Sequence, residues 1–266
     1  MNILIMGYGN IGRHVFNEFR KFKDNIVIYD KYKKHIEEGI PYSEIDKTHF
    51  DYGFICVPTD NNDNNECNTK EVEEAIKKAN ECCSTIIIKS AIPIGFCNKI
   101  HNSKIVYTPE YWGTTQHSNK DPNFLVVGFS DPYYANKVVQ LYTKVKDGGF
   151  NFIFTDYKTA ELAKYMENAY IATKVTFCNE FYRIADKFGV DYNKLRECFI
   201  ADDRVNPSHT FVYDDAPYYD SHCLNKDIPA LITQCKNKDY ITNFLSAVDF
   251  SNSIFKINFE NNKRLY

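Results

Sequence analysis

A glycine triplet near the start of the chain constrains its fold more than any other feature. The apolar run of residues 2–6 ends at Gly7, and Gly9 and Gly12 complete a GxGxxG spacing just as a helical apolar pattern begins. A strand, a glycine turn and a helix in this order form the first unit of a doubly wound α/β sheet. The first glycine permits the tight turn, the second lets a ligand approach the backbone, and the third lets the helix pack closely on the strand.

The next apolar run suggests which ligand this turn would bind. Asp30 ends the run at residues 26–29, and a carboxylate there can accept hydrogen bonds from the ribose hydroxyls of a dinucleotide. Its charge would repel a 2′-phosphate, which favours NAD over NADP, although Lys31, Lys33 and Lys34 weaken this preference. The alternative is a turn whose glycines serve packing only.

The first part of the chain alternates short apolar strands with helices. Strands are predicted at 2–6, 26–29, 52–57, 85–88, 105–107, 124–128 and 150–154, and helices after the glycine turn and at 69–82 and 132–145. This alternation predicts a parallel sheet that is covered on both faces, with ligands at the carboxyl ends of its strands. We therefore expect an N-terminal Rossmann domain over residues 1–157.

The pattern changes after this point. Residues 158–188 lack Pro and Gly and are apolar nearly all round, which predicts a helix of roughly 45 Å at about 1.5 Å per residue. Shorter helices are predicted at 192–200, 227–237 and 239–256. We expect a small all-helical domain over residues 158–266 that serves dimerisation and substrate binding, with the long helix at the centre of a homodimer.

Composition excludes several classes of protein. The 266 residues carry a formal net charge of −3 and 44% hydrophobic residues, so a globular chain is expected, with no basic field for nucleic acid or a membrane surface. No apolar run is long enough for a membrane span, and the first residues lack the pattern of a secretory leader. The nine cysteines are irregularly spaced, which predicts reduced thiols, a cytoplasmic protein and no metal site.

Six further motifs follow one another along the chain. They are Val57-Pro58-Thr59-Asp60, Lys89-Ser90-Ala91-Ile92-Pro93, Thr108-Pro109-Glu110-Tyr111, Glu161-Leu162-Ala163-Lys164-Tyr165 with Asn168, Asp202-Asp203-Arg204-Val205, and Cys223-Leu224-Asn225-Lys226-Asp227. In this order they resemble the UDP-glucose/GDP-mannose dehydrogenase family. The resemblance implies a two-step, NAD-dependent oxidation of a nucleotide sugar, most simply UDP-glucose to UDP-glucuronate, in the service of polysaccharide biosynthesis.

The resemblance also implies roles for individual residues. Cys223 would be the nucleophile that holds the aldehyde as a thiohemiacetal and then as a thioester. Lys164 and Asn168 would stabilise the oxyanion, Asp227 would be the acid/base partner, and Glu110 would contribute to the substrate and water site. The predicted cofactor contacts are Gly7, Gly9, Asn10, Ile11, Gly12, Asp30, Val57, Pro58, Thr59, Ser90 and Lys226.

Three hypotheses stay open because the chain departs from the family pattern. Ala91 stands where the family carries Thr, and Thr114 stands where it carries a carboxylate. Asp220-Ser221-His222 replaces the glycine-rich segment that precedes the catalytic cysteine in the family. A second Rossmann-like domain is expected to be missing after Tyr266. The first hypothesis is an active nucleotide-sugar 6-dehydrogenase. The second is an enzyme like the 6-phosphogluconate and hydroxyacid dehydrogenases, which needs no cysteine. The third is a catalytically degenerate homologue that still binds NAD.

Overall fold

A computed structural model of the chain describes residues 1–32, 49–113 and 121–263. These residues form two compact units, one made of residues 1–60 and 67–164 and the other of residues 61–66 and 165–266. Lys33, Lys34 and Thr114, which entered the sequence predictions, lie outside the described residues.

The first unit is built on a seven-stranded sheet. The strands are β1 (Ile3–Met6), β2 (Ile26–Tyr29), β3 (Phe50–Ile55), β4 (Cys83–Ile88), β5 (Ile105–Tyr107), β6 (Phe124–Phe129) and β7 (Asn151–Thr155), in the spatial order β2-β1-β3-β4-β5-β6-β7. The predicted α/β class is confirmed. The strand order reverses between β1 and β3, and in doubly wound sheets ligands bind outside such a switch point.

One pair of strands departs from the predicted all-parallel arrangement. The pairs among β1 to β5 are parallel and so is β6 with β7, but β5 and β6 are antiparallel. Parallel neighbouring strands need a crossover connection between them, whereas antiparallel neighbours do not. The two last strands therefore run against the first five.

Helices cover both faces of this sheet. They are α1 (Asn10–Glu18), α2 (Lys70–Cys82), α3 (Phe96–Ile100) and α4 (Pro132–Tyr142). Alternate residues of β1 point to opposite faces: Leu4 packs in the cluster that contains α2, and Ile5 packs in the cluster that contains α1 and α4. Because both faces are buried, the central strands are apolar throughout, which is why the sequence shows short unbroken apolar runs.

The long helix α5 (Tyr157–Lys187) is confirmed, and the second unit continues with α6 (Tyr192–Ile200), α7 (His222–Lys236) and α8 (Asn243–Lys263). Two predicted boundaries were wrong. α7 starts at His222 rather than at residue 227, because the Ser221 hydroxyl accepts the backbone N–H of Leu224 and caps the helix. α8 runs from Asn243 to Lys263 rather than over 239–256.

None of the helices in the described part of the chain combines the length and the apolar character that a membrane span requires.

Candidate active site

The glycine turn in the first unit is shaped by close backbone contacts. Gly7 has a φ of +90°, and a Cβ there would lie 2.6 Å from the carbonyl oxygen of Cys56. A Cβ on Gly12 would lie 1.9 Å from the carbonyl oxygen of Gly7. At Gly9 a Cβ would meet nothing within 4 Å. The turn therefore leaves open space at the one glycine that is expected to face a pyrophosphate.

Asp30 is fixed beside this turn. One carboxylate oxygen accepts the backbone N–H of Tyr8 at 2.7 Å, and the other accepts the N–H of Tyr32 at 2.9 Å. Carboxylate oxygens accept hydrogen bonds, so Asp30 is of the type that binds ribose hydroxyls. Asn10 and Ile11 form the first turn of α1, whose N-terminus favours an anion. The residues around the turn thus fit an adenine dinucleotide.

Further predicted cofactor contacts follow β3, which pairs with β1, and β4, which pairs with β3. The Ser90 hydroxyl donates to the carbonyl oxygen of Val57 at 2.7 Å and so ties the two strand ends together. Thr59 is buried, and Pro58 stands between it and Val57. The order of the strands therefore brings the glycine turn, residues 57–59 and Ser90 to one edge of the sheet.

Glu110 follows β5 and is buried in the first unit. Its carboxylate forms an ion pair with Lys89 at 3.2 Å and accepts the backbone N–H groups of Tyr111 and Trp112 at 3.0 and 2.9 Å. Burial alone would raise the pKa of Glu110, but the charges of Lys89 and His14 and the Trp112 N–H outweigh it and lower the pKa. Glu110 is therefore a carboxylate held by its own loop.

Lys164 lies on α5 in the same unit. Its ammonium group is 5.0 Å from the centre of the Tyr111 ring, which is within the range of a cation–π contact. The loop that carries Tyr111 is fixed by Glu110 and by Trp112, whose ring stacks on His14 at 4.5 Å. The first unit thus joins two of the predicted catalytic residues through this loop.

Glu161 is a buried residue for which the sequence analysis proposed no role. Its carboxylate accepts the backbone N–H groups of Gly95 and Cys97 and so ties the turn before α3 to α5. Burial raises the pKa of Glu161. Its place beside Leu162 and Ala163 in the Glu161-Leu162-Ala163-Lys164 motif was the signal that could have identified it.

The second unit contains the predicted nucleophile. Cys223 is exposed and lies in the first turn of α7, where the helix N-terminus favours a thiolate. The segment before it is anchored on α8: the Tyr219 N–H donates to the side-chain oxygen of Asn252 at 2.8 Å, and the Asp220 carboxylate pairs with Lys256 at 2.9 Å. Side chains therefore anchor the segment directly before Cys223, where the family pattern predicts glycines.

Asp227 lies one helical turn after Cys223 and is buried. Its carboxylate accepts a hydrogen bond from the Asn168 amide and an ion-paired hydrogen bond from the Lys226 ammonium, each at 2.6 Å. The Lys226 carbonyl oxygen accepts the Asn61 amide at 2.7 Å. The second unit therefore brings together Asn168, Lys226 and Asp227 beside the helix turn that carries the thiol.

The predicted contact of Lys226 with the cofactor stays a prediction, since its ammonium group is paired with Asp227 here. Among the described residues there is no group of His, Cys, Asp and Glu side chains that could hold a metal ion.

Comparison with known protein families identifies the family of this chain. Two models of the UDP-glucose/GDP-mannose dehydrogenase family match the chain, the NAD binding domain over residues 42–146 and the central domain over residues 158–253. The chain belongs to this family. The NAD-binding domain of the UDP-glucose/GDP-mannose dehydrogenases is thus present, and the central-domain match includes Asn168, Cys223 and Asp227.

Individual relatives share modest identity with the chain. UDP-glucose 6-dehydrogenase of Rickettsia bellii is 31% identical over 213 residues, which cover 75% of this chain and 48% of that protein. The Campylobacter jejuni UDP-glucose 6-dehydrogenase is 28% identical over 275 residues, which cover 89% of this chain and 68% of that protein. The chain spans about half the length of the Rickettsia relatives that it matches.

Solved structures share the fold. A UDP-glucose dehydrogenase from Pyrobaculum islandicum superposes with a TM-score of 0.79 at 19% identity and covers 95% of this chain and 68% of its own. A UDP-D-ManNAc dehydrogenase from Pyrococcus horikoshii gives the same TM-score of 0.79 at 22% identity and covers 96% of this chain and 69% of its own.

Proposed function

We propose that this chain is an NAD-dependent nucleotide-sugar 6-dehydrogenase that oxidises a primary alcohol to a carboxylate in two steps, with a UDP-sugar as the favoured substrate. The observation that carries the proposal is the exposed thiol of Cys223 in the first turn of α7, one turn before the buried Asp227. A nucleophile at a helix N-terminus with a fixed carboxylate nearby suits covalent catalysis.

The first oxidation breaks the C6–H bond of the sugar alcohol, and the hydroxyl proton goes to a base. When NAD is bound at the glycine turn, it supplies the acceptor for the hydride. The product is an aldehyde, to which the Cys223 sulfur adds to form a thiohemiacetal. This covalent bond keeps the aldehyde from leaving before the second oxidation.

In the second oxidation the thiohemiacetal loses its remaining C6 hydrogen as a hydride, which a second NAD would accept when bound, and its hydroxyl proton to a base, so that a thioester remains on Cys223. Water then attacks the thioester carbonyl, the C–S bond breaks, and the products are a carboxylate and the free thiol. We assign the acid/base role to Asp227, which pairs with the Lys226 ammonium and is oriented by the hydrogen bond from Asn168. Lys164 and the second amide N–H of Asn168 would stabilise the oxyanion.

The test is an NADH absorbance assay with a panel of UDP- and GDP-sugars. The Cys223→Ser variant should lose activity by about three orders of magnitude or more, because the thiolate nucleophile is gone. Cys198→Ser is the matched control, since Cys198 is also exposed and lies on α6, and it should keep full activity. Unchanged activity in Cys223→Ser would remove the covalent step, and activity on a small hydroxy acid that does not need Cys223 would favour a hydroxyacid dehydrogenase.

The third hypothesis, a catalytically degenerate homologue that still binds NAD, predicts a different result. Its motivation is Ala91 in place of a hydroxyl, together with a Glu110 carboxylate that already accepts two backbone N–H groups and pairs with Lys89. Saturable NADH binding by calorimetry without turnover on any sugar of the panel would favour this hypothesis over the enzyme.

We also propose a homodimer through the helix of residues 158–188. Between residues 165 and 188 of the second unit, six large apolar side chains are exposed: Met166, Tyr170, Phe177, Phe181 and Ile184 on α5, and Phe188 directly after it. At about 100° per residue they fall within an arc of roughly 60°, so they form one stripe. An exposed apolar stripe of this length is typical of an interface.

Light scattering tests the dimer. The unaltered chain should have the mass of two copies, and Phe177→Glu should shift it to the mass of one, because a charge would be buried at the stripe. Glu180→Lys, on the same helix and outside the stripe, should keep the dimer. A monomeric unaltered chain would contradict the proposal.

A further inference from the structure

Next to the glycine turn, a surface network joins the end of β2 to the start of α2. Lys31 directly follows Asp30, and its ammonium group lies 3.2 Å from a carboxylate oxygen of Glu71 and 3.0 Å from one of Glu74. The Tyr32 hydroxyl donates to the same oxygen of Glu71, Oε1, at 2.6 Å. We call Lys31, Tyr32, Glu71 and Glu74 the ribose-side network.

The position of Lys31 gives this network its significance. In Rossmann folds a carboxylate at the end of the second strand accepts the ribose 2′-hydroxyl, and a basic side chain nearby accommodates the 2′-phosphate of NADP. Asp30 occupies the first position, held by the N–H groups of Tyr8 and Tyr32. Lys31 is the adjacent cation, and it is the residue from which NADP binding would be expected.

Two carboxylates already compensate this cation. Glu74 and Glu71 raise the pKa of Lys31 through their hydrogen bonds, so the amine stays charged. The hydroxyl of Tyr32 and the ammonium of Lys31 lower the pKa of Glu71, so this carboxylate stays charged as well. With both glutamates ionised, the ribose-side network has a net negative charge, to which Asp30 adds one more.

We propose that Glu71 and Glu74 are specificity-determining residues that exclude NADP by pairing with Lys31 and by repelling a 2′-phosphate. The inference rests on the proposed function, since it needs a dinucleotide at the glycine turn. It assigns the choice of cofactor to α2 as well as to Asp30. A neighbouring lysine therefore does not make this chain an NADP enzyme.

Cofactor binding can be measured without any turnover. Calorimetric dissociation constants for NADH and NADPH are determined for the unaltered chain and for the double variant Glu71→Gln/Glu74→Gln. The glutamines keep the size of the side chains and remove two charges, so Lys31 becomes available to a 2′-phosphate. We expect the ratio of the NADPH to the NADH dissociation constant to fall about tenfold or more, chiefly through tighter NADPH binding.

Two further variants separate pairing from bulk charge. Glu73→Gln/Glu81→Gln removes the same number of charges from the same helix, and it should leave the ratio within about twofold because neither residue pairs with Lys31. Adding Lys31→Ala to the first double variant should reverse most of its gain. A melting temperature checks that each variant folds.

Three results would contradict the proposal, and only the last would also contradict the cofactor assignment. An unchanged ratio in Glu71→Gln/Glu74→Gln, with NADH still bound, overturns the role of the two glutamates and leaves the proposed function standing. An equal change in the Glu73→Gln/Glu81→Gln control overturns it too, because bulk charge would explain the effect. No binding of NADH by the unaltered chain overturns both the cofactor assignment and this inference.

Discussion

Each unit of the molecule buries a carboxylate beside a lysine, and the two pairs differ in what surrounds them. In the first unit Glu110 and Lys89 are both almost fully buried, with side chains 7% and 3% exposed. In the second unit Asp227 is equally buried, but the Lys226 side chain is 13% exposed and the turn before Asp227 carries an exposed thiol.

The two carboxylates also differ in the groups that donate their other hydrogen bonds. Glu110 accepts backbone N–H groups from the two residues that follow it, so it fixes the shape of its own loop. Asp227 accepts an amide from α5, which is far away in sequence. The comparison teaches that a buried acid–base pair is a functional candidate when it adjoins an accessible reactive group, and a structural element when its own loop satisfies it.

The largest effect is expected from breaking the first pair. Lys89→Met should lower the free energy of unfolding by about 3–5 kcal/mol, because it leaves Glu110 buried without its counter-charge. Urea unfolding measures the loss. The double variant Lys89→Met/Glu110→Gln should lose less than the single one, and an equal or greater loss would contradict the view that the pair is structural.

In the second pair the main effect should fall on catalysis. Asp227→Asn should lower NADH formation about a hundredfold, which is the low end for removing a general acid or base. Its unfolding free energy should change less than in Lys89→Met, because Lys226 is closer to solvent than Lys89. Equal activity before and after the change would exclude Asp227 from the acid/base role.

A smaller effect is expected from the cap that sets the start of α7. Ser221→Ala should cost about 1 kcal/mol of stability and also reduce activity, because the capped turn carries Cys223. Asp191→Ala removes the cap of α6; it should cost a similar amount of stability without reducing activity. Parallel losses of activity in both variants would show that the cap matters for stability alone.

The smallest effect concerns pH. The folded chain lowers the pKa of Glu110 below its ordinary value of 4.5. Its ion pair therefore contributes stability that is complete above that value and is lost as the pH falls through the lowered pKa. The difference in unfolding free energy between the unaltered chain and Glu110→Gln should shrink between about pH 6 and about pH 3. A constant difference would contradict the assigned direction.

Much of the first unit could be predicted from the sequence because its signals are local. The glycine spacing and each apolar run occupy a few consecutive residues, and Asp30 directly follows the run of β2, even though its carboxylate accepts the distant N–H of Tyr8. The antiparallel pairing of β6 with β5 was not predicted, because the direction of a strand depends on the path of the connection before it rather than on its own residues.

Contacts between distant residues could not be predicted in the same way. Lys89 gave a signal, a charge after the apolar run of β4, but its pairing with Glu110 depends on β4 and β5 being neighbours. The start of α7 was missed although Ser221 is a typical cap, because the segment was interpreted only as the approach to Cys223. Lys31 is 40 and 43 residues away from Glu71 and Glu74, so their pairing leaves no local trace in the sequence.

The three glycines of the turn would respond differently to evolutionary drift. Even an alanine at position 12 would push α1 away from the Gly7 carbonyl, and position 7 is equally closed, so purifying selection for folding alone would preserve both. Position 9 has a negative φ and no atom within 4 Å of a Cβ, so a methyl group there would clash only with a bound ligand. In a lineage that had abandoned its chemistry, this is the glycine that would be free to mutate first.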